Sequence, residues 1–165
     1  RIDRRLGNIS YMDMPEKRPP FNTAITIYNL FHYAIETPFA SQKLVPFYEV
    51  KRVYPFEQAY RQTILKKLEN CFTGHVDALK RACEALGGRP LPQGDAGYEL
   101  SVFPFFNIAV LFWDADEEFA AQANMLFDSH ITDFLHEENV VGVASDAVYY
   151  LTQAAGFTPE EIYGG

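Results

Sequence analysis

Four carboxylates stand close together at Asp114, Asp116, Glu117 and Glu118, and a fifth follows at Asp128. They come directly after Ile108 to Trp113, the longest apolar run of the chain. Carboxylates at this density can hold a divalent cation through oxygen, or work as an acid–base pair with divergent pKa values. Asp114-x-Asp116-x-Glu118 has the spacing of the first half of an EF-hand calcium loop. The sixth loop position is then Phe119, where glycine is needed, and the twelfth is Met125, where a bidentate Glu is needed. That loop type is excluded. A looser oxygen site is left, completed by Asp128 or His130. A plainer reading is a turn. Short carboxylates bond nearby backbone amides, and Asp116, Glu117 and Glu118 suit the start of a short helix. The candidate ligand-binding residues are therefore Trp113, Asp114, Asp116, Glu117, Glu118, Phe119, Asp128 and His130. No metal ligand set and no catalytic residue is assigned, and the cofactor is open.

Other reactive side chains give less. His130 and His136 are six apart, off the i,i+4 spacing of a helical metal pair, and His32 and His75 read as exposed. Ser129-His130 beside Asp128 has triad residue types, but neighbours in sequence rarely adopt triad geometry. Cys71 and Cys83 fall at apolar helical positions and read as buried, reduced thiols. They have no CxxC or Cys/His spacing for a zinc ribbon or iron–sulfur cluster. There is no GxGxxG and no P-loop pattern.

These residues need elements to position them. Residues 1–13 read as an irregular strand or hairpin bending at Gly7-Asn8, and residues 14–22 as a proline-rich loop. Asn22 or Thr23 is expected to cap a helix running to about Glu36, with Ala24, Ile27, Tyr28, Phe31 and Ile35 as its apolar face. Lys43 to Lys51 is a short extended segment that Pro46 confines to a sheet edge. Phe56, Tyr60, Ile64, Leu68 and Phe72 recur every four residues along a helix that starts at Pro55 and exits at Gly74. Val76, Leu79, Cys83 and Leu86 form the stripe of the next helix, stopped by Gly87-Gly88. Residues 89–97 read as a loop. Tyr98 to Phe103 alternates like a strand with one wet face. Phe106 to Trp113 is apolar at both parities, as a strand covered on both faces is. Ala123 to Asp128 is a shorter strand. Residues 139–155 are helical along Val140, Ala144, Val148, Leu151 and Ala155, and Thr158 to Glu161 has capping-box spacing.

Helices, then strands, then a helix predict an α+β fold: a small antiparallel sheet of three to five strands packed against several helices. A length of 165 residues fits a single domain over 1–165. Within it, 1–22 is a strand and loop entry, 23–88 is mainly helical, 98–128 is the sheet core and 136–155 is a helix. All 14 Lys and Arg lie in residues 1–89 against 9 Asp and Glu, which gives +5; residues 90–165 hold 13 Asp and Glu and no Lys or Arg, which gives −13. The apolar content is too high for the acidic part to be a disordered tail. Either the two parts interleave their charges at the surface, or an acidic surface attracts a cation or a basic protein partner. Nucleic acid is not an expected partner, because the basic residues are scattered and the overall field repels phosphate. No apolar run approaches the roughly 20 residues of a membrane span, so no membrane association is expected. Reduced cysteines and the lack of a signal-peptide pattern suggest the cytoplasm. The chain starts at Arg1 without Met, which leaves room for a preceding segment.

The spacing Trp113, Asp116-Glu117-Glu118-Phe119, Leu126-Phe127-Asp128, Leu135, Glu137-Glu138 resembles the prokaryotic family called domain of unknown function 3786, common in anaerobes. The VPFYEVK stretch at 45–51, PFEQAYRQTILKKLENCF at 55–72, LGG at 86–88 and Gly94-Asp95 are similar too. The resemblance spans roughly residues 22–155. It implies no established activity. Some relatives join the domain to an iron–sulfur segment, in company with corrinoid and one-carbon enzymes; this chain lacks cluster ligands. The setting implied is an accessory or cofactor-handling protein of anaerobic metabolism.

Two functions follow as expectations. One is a non-enzymatic domain that binds a small-molecule cofactor or a protein partner, with Phe103, Phe105, Phe106, Phe112, Trp113 and Phe119 lining a pocket rimmed by the acidic turn. The other is a metal-assisted or carboxylate-driven hydrolase or transferase that uses the Asp114 to Glu118 cluster.

Overall fold

The computed structural model describes residues 1–3 and 5–157. The capping-box expectation at 158–161 lies outside them. Strands β1 (Ile2–Asp3) and β2 (Asn8–Ile9) pair as a short hairpin, with Gly7 at positive φ in the bend. Helix α1 (Phe21–Tyr33) follows. Strand β3 (Leu44–Pro46) leads to helix α2 (residues 57–72), then helix α3 (Val76–Ala85). Strands β4 (Arg89–Pro90), β5 (Ala96–Phe103), β6 (Phe106–Trp113) and β7 (Gln122–Asp128) precede helix α4 (Glu137–Ala155).

The fold is α+β, as expected. The antiparallel sheet has the order β3-β7-β6-β5-β4, and four helices pack with it. β6 is central and buried at both parities: Ile108, Val110 and Phe112 on one face, Ala109 and Leu111 on the other. β3 is an edge strand, where the missing amide of Pro46 costs no ladder bond. Residues 89–97 are more than a loop, since Arg89 and Pro90 pair with Glu99 and Tyr98 as the opposite edge.

α2 explains its own four-residue spacing. In a straight α-helix such a stripe drifts by about 40° per step, or ~160° over four steps. Residues 60–65 form a π turn, in which the Lys66 N–H reaches back five residues to the Arg61 carbonyl. The wider turn returns the stripe to the core side. Tyr60, Ile64, Leu68 and Phe72 are all buried as a result.

α1 departs from its expected face and ends. It starts at Phe21 after Pro20, with no side-chain cap, and ends at Tyr33. Phe31 is 76% exposed, and Tyr28 and Ile35 are also exposed; the one fully buried residue is Thr26. The cause is a polar seam with α4. Asn139 Nδ2 donates to Thr26 Oγ1 at 2.8 Å, Asn22 Nδ2 to Ser145 Oγ at 3.3 Å, and Thr23 Oγ1 to Asp146 Oδ2 at 2.8 Å. Asn29 Oδ1 accepts the His136 N–H at 3.3 Å. Satisfied polar pairs, not an apolar stripe, orient this helix.

Candidate functional site

The acidic turn is built on backbone amides. Asp116 Oδ1 accepts the N–H groups of Glu118 and Phe119 at 2.8 and 2.7 Å, which hold its carboxyl below the usual carboxylate range. Asp114 Oδ1 accepts from Gly74 and Ala115, both at 2.8 Å, and the Asp114 N–H donates to Asp95 Oδ2 at 2.8 Å. Gly94 lets Asp95 reach that point: its φ is +74°, and a Cβ there would lie 2.5 Å from the Phe112 carbonyl oxygen. Glu117 and Glu118 are exposed. Among the described residues, no group of three or more His, Cys, Asp or Glu is arranged to hold a metal ion.

Asp128 and His130 are not part of this turn. Trp113 pairs with Gln122 at one end of β7, and Asp128 lies at the other. Six residue steps of strand separate the two ends by roughly 20 Å. Asp128 is buried and accepts four hydrogen bonds, from Ser41 N at 3.2 Å, Ser41 Oγ at 3.0 Å, Gln42 N at 2.7 Å and His130 N at 2.8 Å. They hold Gln42 at φ 57°, a left-handed conformation unusual for that residue type. The His130 ring bonds Ser129 Oγ at 3.1 Å, and Asp128 takes the His130 main-chain amide rather than the ring. Triad geometry is absent from this trio.

The aromatics expected to share one pocket are divided as well. Phe103, Phe105 and Phe106 cluster with Phe134 at the β5–β6 hairpin. Phe112 is sealed in the core, and Trp113 and Phe119 sit at the opposite end, 41% and 61% exposed. Trp113 lines a polar pocket of about 300 Å³ with Tyr48, Tyr60, Arg61, Gln122 and Asn124.

A different cavity has the build of a ligand site. It encloses about 270 Å³ between α1, α4 and the β5–β6 hairpin. Ile27, Leu100, Val102, Phe103, Ile108 and Val143 make most of its wall. Ser101 and Thr26 also line it, and three polar groups meet by hydrogen bonds: Thr23 on α1, and Asp146 and Tyr150 one turn apart on α4. Thr23 Oγ1 is 2.8 Å from Asp146 Oδ2 and 3.2 Å from the Tyr150 hydroxyl. Burial pushes the Asp146 carboxyl up to about 6, with the Thr23 hydrogen bond opposing. Burial also pushes the Tyr150 phenol up to about 12. A second hollow of about 400 Å³ shares Thr23, Ile27, Phe103 and Tyr150 and runs beneath the N-terminal hairpin. Mostly apolar walls with a few converging polar groups, two of them perturbed, are what small-molecule sites have.

Sequence reasoning missed Thr23, Asp146 and Tyr150. A signal existed, since Asp146 is the one carboxylate of α4 after its first turn. Its partner on α1 was hidden because that helix buries its polar side.

Cys71 and Cys83 are not joined in a disulfide; Cys83 is buried, its thiol pushed up to about 12 by burial, and Cys71 is only half-buried. His136 caps α4, its Nδ1 accepting the Glu138 N–H at 3.3 Å.

No helix among the described residues is long and apolar enough to cross a membrane. Comparison with curated proteins and with solved structures gives no match. The profile of the family described as "Domain of unknown function (DUF3786)" matches residues 1–153, so the likeness begins at the N-terminal hairpin rather than near residue 22. With its acidic turn, LFD segment and helical pair all inside that span, the chain belongs to the DUF3786 family.

Proposed function

We propose that the chain is a non-enzymatic binding domain that seats a small, mostly apolar organic ligand between α1, α4 and the β5–β6 hairpin. One observation carries the reading: a mostly apolar cavity of about 270 Å³ into which Thr23, Asp146 and Tyr150 converge. Mostly apolar walls with a few converging polar groups support a small-molecule site. Among the described residues, nothing beside the three groups completes a nucleophile–base pair, which favours binding over turnover. The acidic turn pins the β6 exit to the α2–α3 corner and contributes no residue to the cavity lining. The setting is accessory or cofactor-handling work in anaerobic metabolism, and the ligand belongs to the cofactors or intermediates handled there.

Thermal melting against a panel of small organic ligands, divalent metals and EDTA tests this. A ligand at about 100 times its dissociation constant adds roughly 2.7 kcal/mol of stability and raises the midpoint. Ala147 lines the cavity, so Ala147→Leu fills part of it. That variant is expected to fold and to lose the shift. A shift that survives Ala147→Leu, or one produced by a metal and lost in Asp116→Asn, moves the site to another part of the molecule.

A further inference from the structure

Asp146 faces the cavity with half of its carboxylate uncommitted. Thr23 donates to Oδ2, and Oδ1 has no partner among the described residues. The groups around it come from every wall. α1 contributes Thr23, α4 itself contributes Tyr150, and the Tyr11 phenol of the N-terminal segment stands beyond Tyr150. β5 contributes Ser101, and the end of α3 contributes Leu86. Among the described residues these are hydroxyls, phenols and aliphatics; a cation, Arg1, lines the adjoining hollow that shares Thr23 and Tyr150. No ion pair among the described residues involves Asp146.

A half-buried carboxylate without a counter-charge is costly unless something neutralises it. A proton can do so, and so can a ligand. An ammonium group offers three donors. One matches the free Oδ1, and the Tyr150 and Thr23 oxygens can accept others. The apolar remainder then lies along Ile27, Leu100, Val102 and Phe103. An anion would meet the same carboxylate at close range and be repelled. The net charge of −8 adds a field that draws cations to the cavity mouth.

We infer that the cavity selects small organic cations, primary amines with an apolar or aromatic body, and that Asp146 is the residue that reads the charge. This rests on the cavity being a binding site at all, and the test separates the two claims. Burial lifts the Asp146 carboxyl to about 6, so an ammonium must displace its proton below that pH. Affinity for the amine should therefore fall by about tenfold per unit as pH drops below 6, and level off above it.

The probes are 2-phenylethylammonium, its neutral isostere 2-phenylethanol, and the anion 3-phenylpropionate, titrated calorimetrically into the full chain from pH 4.5 to 8. The expected order is amine, then alcohol, with the carboxylate weakest at pH 7. Asp146→Asn keeps an acceptor for Thr23 and should fold. It should cut amine affinity at least tenfold and abolish its pH dependence, while weakening the alcohol by much less. Tyr150→Phe is a second variant, expected to weaken the amine more than the alcohol. Equal binding of amine and alcohol, or unchanged amine binding in Asp146→Asn, overturns the cation selectivity and leaves the cavity reading standing. Binding of none of the three probes at millimolar concentration overturns both.

Discussion

Asp128 is 1% exposed and accepts hydrogen bonds from three main-chain amides and one hydroxyl. Alanine there would strand those donors in a dry place, and each stranded group has its own desolvation cost. Asp128→Ala is expected to lose about 3 kcal/mol in chemical denaturation, with Asp128→Asn losing less. A loss near zero would show that the residues 41–43 loop does not depend on this carboxylate. Tyr60 poses the opposite case. Its hydroxyl is buried with no hydrogen-bond partner among the described residues. Burial lifts the phenol well above its ordinary range. Tyr60→Phe removes an unsatisfied group while keeping the stacked ring on Phe47, so stability should stay equal or rise by up to about 1 kcal/mol. The Asp128 position was visible in the sequence as a carboxylate ending a strand. Its role was not, because its partners come from residues 41 and 42, far away along the chain.

At the level of elements, legibility followed periodicity. β5, β6, β7, α3 and α4 announce themselves through alternation or an apolar stripe, and they stand where the pattern puts them. β4 has two residues and no pattern to read. α1 misled for a physical reason. Its polar side finds matched partners on α4, so Phe31 is left outside. A hydrophobicity pattern cannot register a hydrogen-bonded seam before the partner is known. The same seam holds Asp146, and it predicts how stability depends on pH. The folded carboxyl titrates near 6, against an ordinary value of 3.8. Between these pH values the folded state binds the proton and the unfolded state releases it. The stability that Asp146 contributes is thus fully present below about 4 and is lost as pH rises to about 6. The melting midpoint of Asp146→Asn should lack that decline relative to wild type. An identical pH slope in both proteins would mean that Asp146 titrates normally.

Across the whole molecule, the charge split resolves partly through contact. Arg52 pairs with Glu137 at 3.6 Å and Arg89 with Glu99 at 2.9 Å, joining the basic first part to the acidic second part. Both pairs have exposed arginines, so each adds little stability, and their meaning is one of placement. The same joining of early and late segments makes the cavity. Thr23 comes from the first helix, Leu100 and Phe103 from the sheet, and Asp146 and Tyr150 from the last helix. A site assembled from three distant segments leaves no local motif, whereas the acidic turn is contiguous and conspicuous. The acidic turn closes through its own amides, and the cavity keeps polar groups turned toward open space. Amide and methyl NMR spectra of the labelled protein, titrated with 2-phenylethylammonium, test this contrast most directly. Shifts are expected only at Thr23, Ile27, Leu100, Val102, Val143, Asp146 and Tyr150. Shifts centred on Asp114 to Phe119, with the cavity signals unmoved, would contradict it.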